Sequence, residues 1–266
     1  MKRPDWLIPL VVALIGGTVA IALQQQNLGR ITLGQTPESD RAWVEREYRT
    51  LKAMQKLPPR GFGFNNVIAN WHFLSFLQYY GDYVARDDHK TGYGLSKEYF
   101  RIITARKPYM FASYSYLTSS ISIHAGEPEI TVQLLEAALK QIQPEQFYFT
   151  YLVWSQKGLE EFLFLGDSEK AQQSYRQAIE ALDRANLPAE LQQRRDLIRR
   201  LYLDRIEFLK QKYDPITVQR MGWFLVLEST PDVRTRKKVV AKLQELGVSI
   251  EINEEGEIKL NSPRQD

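Results

Sequence analysis

The sequence predicts an all-α fold, an α-solenoid of antiparallel helix pairs, and three observations carry that prediction. A helix–turn–helix pattern recurs at a fixed offset in the middle of the chain. Elsewhere, apolar residues return at helical spacing between glycine and proline stops. Alternation with period two is confined to the stretch after Gly247. Composition agrees with a packed core. Of 266 residues 44% are hydrophobic and 12% aromatic, and 35 Lys+Arg against 32 Asp+Glu leave a net charge of +3. Disorder as the main state is excluded, and a dedicated nucleic-acid binder is disfavoured. The absence of cysteine removes disulfides, thiolate metal sites and cysteine nucleophiles.

Residues 1–28 are read as a transmembrane anchor. Trp6 to Leu23 is an uncharged run of 18 residues, about 27 Å of helix, with Trp6, Leu7, Leu14 and Leu23 as anchoring side chains. Lys2 and Arg3 precede the run and the next cation is Arg30. The positive-inside rule then puts the amino terminus in the cytoplasm and the body outside, in a periplasm or lumen. The competing reading is a cleaved signal peptide with a site at Ala20-Ile21-Ala22, but the apolar run exceeds the ~7–15 residues usual there.

Residues 29–64 form a linker and a first soluble helix. Gly29 to Ser39 reads as a tether, and Asp40 is the expected cap of a helix to about Leu57. On that helix Trp43, Val44, Tyr48, Leu51 and Met54 recur near helical spacing, and Pro58-Pro59 ends it. Gly61 and Gly63 lack the lysine and preceding strand of a phosphate loop and mark a turn.

Residues 65–187 hold the repeats. His124-Ala125-Gly126-Glu127-Pro128 aligns with Phe164-Leu165-Gly166-Asp167-Ser168 at an offset of 40, and Leu135, Ala138 and Leu139 fall on Tyr175, Ala178 and Ile179. Gly126 and Gly166 can take the left-handed conformation that stops one helix; Pro128, and Asp167 or Ser168, start the next. A third, upstream unit is read from Gly81-Asp82 and from Ser96, Phe100, Ile103 and Pro108, with Ser96 as cap and extra residues inserted within 84–94.

In Phe162, Gly166, Ala171, Tyr175 and Ala178, with Trp154 upstream, the sequence resembles the tetratricopeptide repeat family over roughly Asn65 to Ala185. The first-helix glycine is one residue early, at Gly158, and the closing proline is missing after Leu182. The resemblance implies stacked helix hairpins whose first helices line a concave protein-binding surface. It implies partner-contact roles for Tyr79, Tyr93, Tyr116 and Trp154, and help with building a membrane complex, as assembly factors of this kind give to photosynthetic complexes. Insertions in such arrays become loops on one face, so Arg86, Asp87, Asp88 and His89 join the partner-binding set.

Chemistry is sparse. Asp87, Asp88 and His89 form a carboxylate–histidine cluster that could hold a divalent cation or do acid/base work. That would suit an enzyme or accessory subunit of a cell-envelope or lipid-linked pathway, but adjacent loop side chains diverge and a solvated tip is the simpler reading. His72 and His124 read as packing or capping residues. Glu160-Glu161 and Glu254-Glu255 read as surface charges, and no Gly-x-Ser-x-Gly elbow is present. No catalytic residue, metal site or cofactor is expected.

Residues 188–266 supply further helices and a cap. Pro188 opens a helix to about Lys212 whose Arg194, Arg195, Arg199, Arg200 and Arg205 make either a solvated face or a site for an acidic partner or anionic lipid. Pro215 opens the next, and Thr230-Pro231-Asp232 opens one that Gly247 closes. Val248, Ile250, Ile252, Ile258 and Leu260 predict a β-hairpin that packs on the last helices as a solenoid cap. The functional expectation is a membrane-anchored scaffold that binds protein partners and no nucleic acid.

Overall fold

The structure, a computed structural model, describes Thr18 and residues 34–58, 63–211, 214–255 and 257–260. The expected anchor, with Trp6, Leu7, Leu14 and Leu23, lies outside the described residues. Among those described, no helix is long and apolar enough to cross a membrane. The described chain is mostly helical.

Helix α1 spans Pro37–Gln55. It starts ahead of Asp40, because Thr36 and Ser39 form a reciprocal capping box in front of Pro37 at the first turn. Asp40 is therefore not the cap; it is buried.

Helices α2 (Asn65–Gly81) and α3 (Ser96–Arg106) form the first pair. Between them lies a π-helical turn, Val84–Asp88. The left-handed corner is Gly92 (φ 66°), whereas Gly81 is the last residue of α2. The corner before α3 thus stands 34 residues before Gly126. Ser96 does not cap α3, since Leu95 holds that position and Ser96 is buried.

In the second unit the expected first helix is broken into a short α4 (Phe111–Tyr114) and a π-helical turn, Thr118–Ile123, before α5 (Pro128–Leu139). The hydroxyls explain the break: Ser113 donates to the Met110 carbonyl, and Ser119 and Ser120 both donate to that of Tyr116. The third unit is regular. Its helices are α6 (Thr150–Leu163) and α7 (Ser168–Arg184), and Asp167 caps α7 by accepting from the Lys170 amide. Gly158 lets the two approach closely, as a methyl group there would lie 3.2 Å from the Ala171 carbonyl oxygen. Gly126 and Gly166 share the corner geometry, with φ 63° and 66°.

The helix predicted from Pro188 breaks at Gln193-Arg194 into α8 (Ala189–Gln192) and α9 (Arg195–Lys210). Packing runs in series: α2 on α3, α3 on α5, α5 on α6, α6 on α7, and α7 on α9. Tyr175 stacks on Tyr202 across the last contact, with the Arg205 guanidinium over both rings.

The chain then doubles back. Helices α10 (Pro215–Ser229) and α11 (Val233–Glu245) do not extend or cap the series; they lie along its row of glycine corners. Gly166 faces Gln219, Gly126 faces Val226, Thr235 and Val239, and Gly92 faces Asp232. Trp223 donates its indole N–H to the Phe164 carbonyl, and Gly222 seats against that of Leu163. Trp223, Val226, Leu227, Val239, Val240 and Leu243 are buried in this contact. At about 1.5–3 kcal/mol for each large apolar side chain, such burial outweighs the entropy of one interhelical loop. Strands β1 (Ile250–Ile252) and β2 (Ile258–Leu260) pair antiparallel as predicted, Ile250 opposite Leu260, and β1 packs on the last helix, α11, as expected.

Candidate functional site

The insertion keeps its tip in solvent but is anchored to the interior at Arg86 and Gly92. The Arg86 side chain is fully buried, its guanidinium 4.2 Å from the Tyr79 ring centroid and 5.9 Å from that of Trp43. Its Nη1 donates to the Gly92 carbonyl, which also accepts from the Tyr79 hydroxyl. The same hydroxyl accepts from the Leu95 amide, so Tyr79 bridges both ends of the turn into α3. Burial pushes the Tyr79 phenol up to about 12, against the opposing pull of Arg86. Asp232 lies directly on Gly92, where a methyl group would meet its Oδ2 at 2.4 Å, so the insertion is clamped by the cap of α11.

These contacts correct several expectations. Tyr79, Arg86 and Tyr93 are buried and cannot serve as free contact residues. Tyr93 packs on Tyr80 and His124, and Tyr80 touches the half-buried Tyr116. Tyr79, Tyr80 and Tyr116 pack in one core between α2, α3 and the second unit, together with Ile103, Leu117 and Ile121. Asp87 is half-exposed and Asp88 exposed, so the tip is solvated as the simpler reading holds. His89 does not join them: its Nδ1 lies 2.7 Å from Asp40 Oδ2 on α1. Among the described residues no group of three His, Asp or Glu is placed to hold a metal. His72 is buried with Nδ1 on the Ile68 carbonyl, and desolvation lowers its pKa. Trp154 lies apart, in α6, half-buried with the Lys157 ammonium over its ring.

The residues that the sequence reading missed are Glu160 and Glu161. Both are 1% exposed. Helix α6 is packed between α5 and α7, so neighbouring positions on it both face protein. Glu161 is paired with Lys157 and accepts from Ser174. Among the described residues Glu160 has no cation partner; it accepts from the Thr118 hydroxyl and from Ser122 at 2.7 Å. Ser122 also contacts Thr131 at 2.8 Å, and Gln156 donates to Thr118. Burial raises the Glu160 carboxyl to about 7, the hydroxyl donors opposing it.

The hydroxyls serve either state of the acid: Thr131 can donate to Ser122 and Ser122 to the carboxylate, or a protonated Glu160 can donate to Ser122 and Ser122 to Thr131. Hydroxyl beside carboxylate is also the arrangement of a nucleophile and a base, but Ser122 is buried with Glu160, out of reach of a substrate. What the cluster can do is hold a proton near neutral pH inside the contact between the π-helical turn, α5 and α6.

Large exposed apolar side chains collect on three helices, among them Ile216, Met221 and Leu225 on α10. On α2 they are Val67, Trp71 and Leu74, with Phe64 just before the helix; on α9 they are Leu197, Leu201, Leu203 and Phe208. A shallow open cleft of 260 Å³, lined by Met54, Gln55, Leu57, Arg101, Ile102, Ala105 and Arg106, lies near the start of α2, where Arg106 binds both Asn65 and the Leu57 carbonyl. No protein-family model, no curated protein and no solved structure matches this chain.

Proposed function

We propose that the protein is a membrane-tethered helical-repeat scaffold, an assembly factor that docks protein partners on the open end of its helix stack. One observation carries this reading: the last helix of the series, α9, is apolar on both sides. Tyr202, Ile206 and Leu209 face the core, while Leu197, Leu201 and Phe208 recur at helical spacing on the outside with 66%, 48% and 44% of their surface exposed. A helical array needs a polar outer face on its terminal unit to stay soluble alone, and here α10 and α11 are spent on the glycine corners instead. An apolar stripe whose rim carries both signs, Arg194 and Arg200 with Asp196, Asp204 and Glu207, suits an amphipathic helix of a partner. The half-exposed Tyr116 and Trp154 and the exposed Asp88 leave further contact surface, and the uncharged run Trp6–Leu23 supports attachment to a membrane, which raises the effective concentration of partners there.

Crosslinking in native membranes, followed by mass spectrometry, tests the reading. The wild-type chain is expected to give links from α9 to a second protein, and Leu201→Arg is expected to lose them with unchanged helical circular dichroism. Identical links in the variant, or none in the wild type, would refute it.

A further inference from the structure

Helix α2 presents a second unpartnered face, and its chemistry differs from that of α9. Its 17 residues contain no Asp, Glu, Lys or Arg. Ala69, His72, Phe73, Phe76 and Tyr79 point into the core. Phe64, Val67, Trp71 and Leu74 point outward, spaced 3, 4 and 3 residues apart, and are 58% to 64% exposed. Asn66, Asn70 and Gln78 are exposed beside them, so the outer side is an uncharged face with an apolar stripe, and it is that stripe that calls for an apolar medium.

Three observations identify that medium. First, Gln35, next to Gly34, donates to Asp82 just beyond the carboxyl end of α2. Residues 24–33 alone separate this point from the uncharged run Trp6–Leu23; ten residues reach at most about 35 Å. Second, an exposed Trp and Phe with aliphatic neighbours is the composition of a helix lying in the bilayer interface. Third, the rim is basic. Lys107 holds its ammonium on Asn70, at the edge of the stripe, and Lys56 is exposed at the end of α1, adjoining Leu57, whose carbonyl shares Arg106 with Asn65 at the start of α2. Asp82, the carboxylate at the far end, is bound by Gln35. Cations beside an apolar stripe complement anionic headgroups.

We infer that the outer face of α2 lies on the surface of the same membrane that holds the amino-terminal run, with Phe64, Val67, Trp71 and Leu74 in the headgroup–acyl boundary. This rests on the membrane-tethered reading above. It adds a second attachment that fixes the orientation of the body, so that α9 is presented to partners at a defined height and angle instead of swinging on a tether.

The absence of native cysteine makes the test clean. Val67→Cys, Leu14→Cys and Glu180→Cys are each spin-labelled in the full chain, reconstituted in phosphatidylcholine–phosphatidylglycerol vesicles, and read by collision with oxygen against a water-soluble nickel complex. The expected result is a shift toward oxygen at positions 14 and 67 and toward nickel at the exposed position 180. Lipid contact at 14 with water contact at 67 would overturn this inference and leave the tether intact. Water contact at both would overturn the tether and this inference with it. A label at 67 shielded from both reagents would also overturn it, by showing that protein covers the face.

Discussion

Glu160→Gln exchanges a buried acid for an amide that keeps an oxygen to accept from Thr118 and an N–H to donate to Ser122. Burial raises the folded-state carboxyl from 4.5 to about 7. Between those values the native protein holds a proton that the unfolded chain releases, so the wild type is favoured fully below about 4.5 and loses that contribution as pH rises through about 7. At ~1.4 kcal/mol per pH unit the interval corresponds to roughly 3 kcal/mol. Denaturant unfolding of both chains in one detergent, followed by tryptophan fluorescence, should give a stability difference that is flat below about pH 4.5. It should then move in favour of the variant by up to roughly 3 kcal/mol at about pH 8. Other titrating groups cancel in the difference, because both chains share them. A pH-independent difference, or one that moves in favour of the wild type as pH rises, would refute the assignment of a buried neutral acid at this position.

The remaining predictions concern the clamp around the insertion and the fold-back. Tyr79→Phe leaves the buried Leu95 amide without its acceptor, while the Gly92 carbonyl keeps Arg86. It should cost about 1–3 kcal/mol and raise amide hydrogen exchange across 84–95 before the rest of the chain, whereas a neutral outcome would mean that water replaces the hydroxyl. Gly222→Ala sets a methyl group 2.7 Å from the Leu163 carbonyl oxygen, a backbone atom that cannot rotate away. A loss of about 1–3 kcal/mol in urea unfolding is expected, with α10 the first helix to exchange; unchanged stability would show that α10 rides loosely on the glycine corners.

Much of the fold was legible because its signals are local. Gly126 and Gly166 stop helices through their own φ, Asp167 and Asp232 cap the helices that follow them, Pro215 opens another, and the alternation of Ile250, Ile252, Ile258 and Leu260 makes a hairpin. Where a second local signal competed, the reading slipped. Thr36 and Ser39 start α1 ahead of Asp40, and the serine-rich stretch Ser113–Ser122 turns an expected helix into a π-helical segment. Gly81 stood in for Gly92 because both precede helices, and only φ separates a helix end from a left-handed corner.

The candidate sites were legible only where exposure follows from composition. The uncharged character of Asn65–Gly81 is written in the sequence; that one side of it stays open is not. Arg86 and Tyr93 sit in a segment as polar as any surface loop, yet α11 comes back to close over it through Asp232 and Gly92. Glu160 and Glu161 are adjacent on a helix, which by itself says surface, until α5 and α7 cover both sides.

By itself, then, the chain's chemistry determined where helices start and stop, because caps, glycine corners and prolines act over a few residues. Tertiary structure alone decided which groups lose water. Burial is set by contacts between residues far apart in the chain, such as Trp223 on Phe164 or Asp40 on His89. No local pattern encodes which surface the last two helices will choose to cover.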